Sequence, residues 1–211
     1  IIFFIIKWMN KSNLYLDVLE KSNIDEIKKI WLEGLPDNLK SIIGEFSITN
    51  YLNKFFDNKN NLGVGLFQSK NIEGFVLYGN DDEIIKKIIS ENFFKIFKSF
   101  LKHLFQLSIT NLGKYFDVLI FMVISKKMEA EFKKKNVELL IIVIKKEYQK
   151  KGFGSYLVKN SFLKYKKFFL KFEGVYVKTL KNTPENIDFY KKNNFLFLQE
   201  IYKRIYLKYK I

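Results

Sequence analysis

Between Val137 and Val158 the chain reads as a strand, a charged Gly-containing turn and the start of a helix, which together make an anion site. Val137 to Ile144 is an apolar run rich in β-branched residues, which predicts a buried strand. A lysine-rich turn follows, then Gly152 and Gly154, then a helical pattern. The first N–H groups of a helix have no internal partner, and glycines let such backbone approach a phosphate closely. Lys150 and Lys151 add positive charge at the same point. The same residues are also compatible with an ordinary strand-to-helix turn whose glycines serve packing.

Two motifs in register sharpen the reading. Gln149-Lys150-Lys151-Gly152-Phe153-Gly154 resembles the Gln/Arg-x-x-Gly-x-Gly/Ala signature of the GNAT superfamily of acyl-CoA-dependent N-acyltransferases. Asp188-Phe189-Tyr190-Lys191-Lys192-Asn193-Asn194-Phe195 resembles that family's second hallmark, Phe-Tyr-x-x-x-Gly-Phe. The likeness covers the C-terminal third closely and the segment up to Gly79 loosely. Lys146 stands where the family often has Pro, and Asn194 where it usually has Gly. Asn adopts positive φ more readily than other non-glycine residues, so the second turn is expected to survive. The resemblance implies an α/β fold: a GNAT-type mixed, mostly antiparallel central sheet flanked by helices.

Composition excludes several chemistries. With no cysteine, disulfides, thiolate metal sites and Cys nucleophiles are ruled out, and the single His103 argues against a His-rich metal site, so no metal is expected. The 211 residues suffice for one hydrophobic core. A net charge of +15 suits nucleic acid or an anionic membrane. The lysines, however, are spread along a chain crowded with Lys, Asn, Ile and Phe, as AT-rich coding would produce, and no specific nucleic-acid partner is expected. Residues 1–8, too short an apolar run to span a bilayer and without a signal-peptide pattern, read as an N-terminal extension ahead of Met9. A cytoplasmic protein is the expectation.

The remaining elements follow from periodicity. Leu14 to Leu19 alternates as a strand, and Ile24, Ile27, Ile30 and Trp31 form one helical stripe. Ser22 or Asn23 is placed to cap that helix, with Glu26 at capping-box distance from Asn23. A second helix is expected around Ile48 to Phe56, and a hairpin from Leu62 to Gln68 and Gly74 to Tyr78. Residues 81–136 read as a helical insertion between the third and fourth strands, suited to a lid on the sheet, a homodimer contact or a basic amphipathic face on a membrane. A helix to about Phe169, a strand at Val175 to Thr179, a helix opened by Pro184, and strands at Phe195 to Ile201 and Ile205 to Tyr209 complete a single domain over 9–211.

The resemblance implies acetyl-CoA as co-substrate and a primary amine of a small molecule or amino sugar as acceptor, with direct transfer between them. It assigns cofactor contacts to Gln149, Lys150, Lys151, Gly152, Phe153, Gly154 and Ser155, to the backbone of Ile142, Val143 and Ile144, and to Asn182 or Thr183. It implies Glu138 as general base, a carboxylate whose apolar neighbours would raise its pKa, the alternative being a residue that ends the strand at the surface; and Tyr190 as the acid that protonates the departing thiolate, the alternative being an aromatic that fills space between helix and sheet. A related branch carries its base on the following strand, where this chain has Lys178, so that arrangement does not transfer. Two other readings are a non-catalytic basic binding module on the same fold, and a membrane-associated enzyme for a lipid-linked amino sugar.

Overall fold

The computed structural model describes residues 14–35, 48–80, 84 and 135–211. The expected extension at 1–8 lies outside the described residues. So does the expected insertion at 81–136 with His103, apart from Ile84, Lys135 and Asn136.

The described chain forms β1 (Leu14–Val18), α1 (Ile24–Gly34), α2 (48–57), β2 (Leu62–Gln68), β3 (Asn71–Gly79), β4 (Asn136–Ile144), α3 (Phe153–Lys164), α4 (Lys166–Phe169), β5 (Gly174–Leu180), α5 (Pro184–Lys192), β6 (Leu196–Ile201) and β7 (Arg204–Lys210). The seven strands make one sheet in the order β1-β2-β3-β4-β5-β7-β6. Every neighbouring pair is antiparallel except β4–β5. The mixed, mostly antiparallel sheet expected from the motifs is therefore present.

Each face of the sheet buries its own cluster. On one face Val64, Val76, Val137, Leu139, Val175 and Leu207 pack under Phe153, Leu157 and Val158 of α3, Phe169 of α4 and Tyr190 of α5. On the other, Phe75, Leu77 and Val143 meet Ile27, Ile30 and Trp31 of α1 and Leu52 and Phe55 of α2. Each fully buried Ile or Phe contributes roughly 1.5–3 kcal/mol, so these stripes hold the helices to the sheet. Inside the first cluster, a polar pairing of Tyr78 Oη with Ser161 Oγ, at 2.7 Å, satisfies two hydroxyls that burial would otherwise penalise.

Three local expectations change. Glu26 does not form a capping box with Asn23: its Oε1 accepts the Ile72 N–H at 2.8 Å, tying α1 to β3. A 3-10 turn at Lys21–Asn23 precedes the helix, and Glu20 and Asn23 make the reciprocal pair one step earlier. The hairpin is tighter than expected, β3 starting at Asn71 after Ser69 at φ 58°. The helix expected to reach Phe169 breaks at Tyr165, and the short α4 then turns Phe169 into the core.

Candidate active site

The site begins with a register fault. Along β3 the consecutive residues Leu77 and Tyr78 face Ile141 and Leu139, so Leu140 is one residue too many on β4. A β-bulge of this kind bends its strand and reverses which residues point to which face. Before it Val137 and Leu139 enter the cluster under α3; after it Ile142 and Ile144 do, while Val143 turns to α1. Glu138, even-numbered and ahead of the bulge, lies on the face opposite α3.

The second event is a parting of strands. β4 and β5 run parallel for three rungs only, Asn136↔Gly174, Val137↔Val175 and Glu138↔Tyr176. Beyond them β4 stays paired with β3 to Ile144, and β5 with β7 to Leu180. The sheet opens as a wedge towards the C-terminal ends of both strands. Leu140, Ile141 and Ile142 become partly exposed between buried neighbours. Alternate residues of β4 direct N–H and C=O groups towards the missing neighbour. Ile142, Val143 and Ile144 therefore border the wedge.

The turn after β4 is pinned at both ends. Tyr148 Oη donates to Gln68 Oε1 at 2.6 Å, and its ring meets Phe153 edge-on at 5.4 Å between centroids. Partial burial and the nearby Glu73 carboxylate push the Tyr148 phenol above its usual range. Gln149 Nε2 donates back to Ile144 O at 2.8 Å, so this exposed side chain helps close the turn on β4. Lys150 takes φ 59° and Gly152 φ 88°, which swings the backbone into α3. Lys150 and Lys151 are exposed at that corner. The first helical bond is Tyr156 N–H to Gly152 O at 2.9 Å, leaving the opening turn of α3 aimed outward.

The two glycines divide the work the sequence assigned to them jointly. A Cβ on Gly152 would meet nothing within 4 Å, so this corner is open and a phosphate can reach the backbone. A Cβ on Gly154 would lie 3.2 Å from Phe189 Cε2, so that glycine lets α3 approach α5. The second motif thereby packs on the first. Asn193 Nδ2 donates to Ser155 Oγ at 3.0 Å and to Phe189 O at 2.8 Å, while its buried Oδ1 has no partner. Because Ser155 Oγ accepts this bond, its own proton is left to donate. Asn194 holds φ 66°, as expected of Asn in the glycine position. Among the described residues, an open helix start, exposed lysines and a β4 edge that β5 leaves beyond Glu138 fit a diphosphate on a linear amide arm.

Tyr190 is buried at the inner end of α5 among Phe189 and Phe195, at 5.1 and 5.6 Å between ring centroids. Burial raises its phenol well above the ordinary tyrosine value. Asn182 is exposed in the turn after β5, and Thr183 Oγ1 donates to Leu180 O at 2.7 Å, capping the strand end. Glu138 is buried, but not against apolar groups alone. Its Oε1 lies 3.0 Å from Lys178 Nζ, and its Oε2 accepts from Tyr176 Oη at 2.9 Å. Sequence reasoning missed both partners. Their alternation along β5 shows one shared face, but the β4–β5 register that brings them to Glu138 is a long-range fact.

No protein-family model matches the chain, and no curated protein matches it. Solved structures do. The chain is similar to PaiA N-acetyltransferase from Thermoplasma acidophilum in complex with coenzyme A, at 12% identity and a TM-score of 0.58, over 94% of this chain and 99% of that one. An acetyltransferase from Thermus thermophilus is similar at 9% identity and a TM-score of 0.57, over 94% and 97%. A point mutant of SpeG spermidine N-acetyltransferase from Vibrio cholerae is similar at 14% and 0.54, over 93% of each chain. These likenesses, together with that to an acetyltransferase of the GNAT family from Streptococcus pneumoniae, show the fold: the chain has the GNAT fold.

Proposed function

We propose that this protein is an acetyl-CoA-dependent N-acetyltransferase that acetylates a primary amine of a small molecule or amino sugar by direct transfer. The observation that carries the reading is the wedge between β4 and β5 ending at the open backbone corner of Gly152. In it, amides of the Lys150–Ser155 turn bind the diphosphate, each anion contact at the helix start contributing roughly 0.3–1 kcal/mol. The Ser155 hydroxyl, oriented by Asn193, donates to the same group. Lys150 and Lys151 supply the long-range attraction.

The backbone edge of β4 from Leu140 to Ile144, which β5 leaves, holds the pantetheine arm, and one of its N–H groups steadies negative charge developing on the thioester oxygen. Holding both reactants in the wedge supplies much of the remaining acceleration. Glu138 takes the proton from the acceptor's nitrogen, and Tyr190, kept protonated by burial, returns one to the leaving sulfur. Charge balances at the end: an amide and a neutral thiol are formed, and each side chain is restored through solvent.

Calorimetry with acetyl-CoA, followed by thiol release across a panel of amines, tests this directly. The panel includes spermidine, because one structural neighbour is a spermidine N-acetyltransferase, together with amino sugars and amino-acid amines. Saturable acetyl-CoA binding and amine-dependent thiol release are expected. Absence of binding, with salt-sensitive adhesion to nucleic acid or anionic vesicles instead, would establish a non-catalytic basic module in its place.

A further inference from the structure

We propose that Lys178 is a positioning residue for Glu138, and that proton transfer to Glu138 depends on the cross-strand ion pair between them. This rests on the acetyl-transfer reading above. Glu138 and Tyr176 form the last rung before β4 and β5 separate. Lys178 stands two residues further along β5, on the same face as Tyr176, where β4 no longer pairs. Its side chain reaches back across the root of the wedge to Glu138 Oε1 at 3.0 Å, both side chains being about nine-tenths buried. Tyr176 Oη holds the other oxygen at 2.9 Å.

Two donors on two oxygens fix the plane of the carboxylate, and the ammonium favours its ionised form. Buried Tyr206, the β7 residue opposite Lys178, packs with Tyr176 and Ile201 and walls the cluster from the rest of the sheet. Lys178 thus occupies the position where a related branch carries its base, and serves the carboxylate on the neighbouring strand. Without the ammonium, Glu138 Oε1 loses that donor and the plane of the carboxylate is no longer held from both sides.

The test is a double-mutant cycle on kcat, using acetyl-CoA and the panel amine that gives the fastest thiol release. Glu138→Gln is expected to lower kcat by about 10²–10⁴. Lys178→Met lowers it at least about tenfold, with KM for acetyl-CoA moving less than about threefold, and Lys178→Arg restores it to within about threefold of wild type. In the Glu138→Gln background Lys178→Met is expected to cost nothing further, since both changes remove one unit. Lys178→Gln, which keeps a donor without charge, is read in the same cycle should the Met variant fail to fold. Full kcat in Lys178→Met or Lys178→Gln, or an equal loss with and without Glu138, overturns the proposal while leaving acetyl transfer intact. A wild-type protein that binds no acetyl-CoA overturns both.

Discussion

Replacing Gly152 and Gly154 by alanine one at a time separates a ligand-facing glycine from a packing glycine. At Gly152 an added Cβ meets nothing within 4 Å, so no clash opposes the change. The cost is conformational: φ is 88°, and an L-residue held in the left-handed region loses roughly 1–2 kcal/mol. For a chain of 150–250 residues each kcal/mol moves Tm by about 2–4 °C, so a drop of roughly 2–8 °C is expected. At Gly154 the added Cβ would sit 3.2 and 3.4 Å from the Phe189 ring, which must yield by a few tenths of an ångström. Alanine also recovers up to about 1 kcal/mol of helix propensity, so the net change in stability is near zero. Binding is expected to go the other way. The Gly152→Ala methyl projects into the open corner and holds a diphosphate off the amides, weakening acetyl-CoA binding about tenfold or more, or about 1.4 kcal/mol. The Gly154→Ala methyl faces Phe189, so affinity stays within about threefold of wild type. Calorimetry with acetyl-CoA and thermal unfolding of both variants give the answer. Unchanged affinity in Gly152→Ala beside a large loss in Gly154→Ala would refute the division of labour.

Asn194, at φ 66°, tolerates Gly with little change but loses about 1–2 kcal/mol as Ala, measurable by urea unfolding. Removing one partner of the Glu138–Lys178 pair costs roughly 3–5 kcal/mol of stability, whereas the double replacement Glu138→Leu with Lys178→Met recovers most of it without recovering transfer. Burial raises the phenols of Tyr78 and Tyr190 above the ordinary value near 10, and burial with nearby Asp17 raises Tyr165 to about 12. The unfolded chain then binds fewer of these protons above pH about 10, so their contribution to stability is complete below that pH and lost as pH rises through the folded values. Unfolding free energy measured across the alkaline range should fall while phenolate absorbance in the native protein lags that of the unfolded chain.

Much of the fold was legible because periodicity acts locally. The stripe Ile24, Ile27, Ile30 and Trp31 and the apolar run at Val137 to Ile144 report their elements without reference to the rest of the chain. Turn chemistry was legible for the same reason: positive φ at Asn194 follows from the residue type and its place in the motif. What escaped were facts of register. The bulge at Leu140 adds one residue to β4 opposite β3 and leaves no mark in composition. Glu26 had a local partner on paper, yet its carboxylate serves the Ile72 amide 46 residues away. Gln149 belongs to a ligand-binding signature, yet its amide closes its own turn on Ile144. In each case a short polar side chain had several targets of similar merit, and tertiary placement chose among them.

The same distinction explains how the site is built. A buried carboxylate needs a counter-charge, and among the described residues Lys178 of β5 supplies one. The parallel pairing of β4 with β5 brings it there, but only while the strands stay together. Had the rungs continued, Lys178 would lie one repeat beyond Glu138 along a closed sheet, and no wedge would open for a cofactor arm. Had the strands parted one rung earlier, Tyr176 would lose its place opposite Glu138, and with it the second donor. Three rungs satisfy both demands: enough pairing to bring Tyr176 and Lys178 onto Glu138, and enough separation to bare β4 from Leu140 onward. The bulge at Leu140 falls at that boundary, turning Glu138 away from the face that carries Ile142 and Ile144. Which face Glu138 takes and which Ile142 and Ile144 take are thus set by where one strand gains a residue and loses a neighbour.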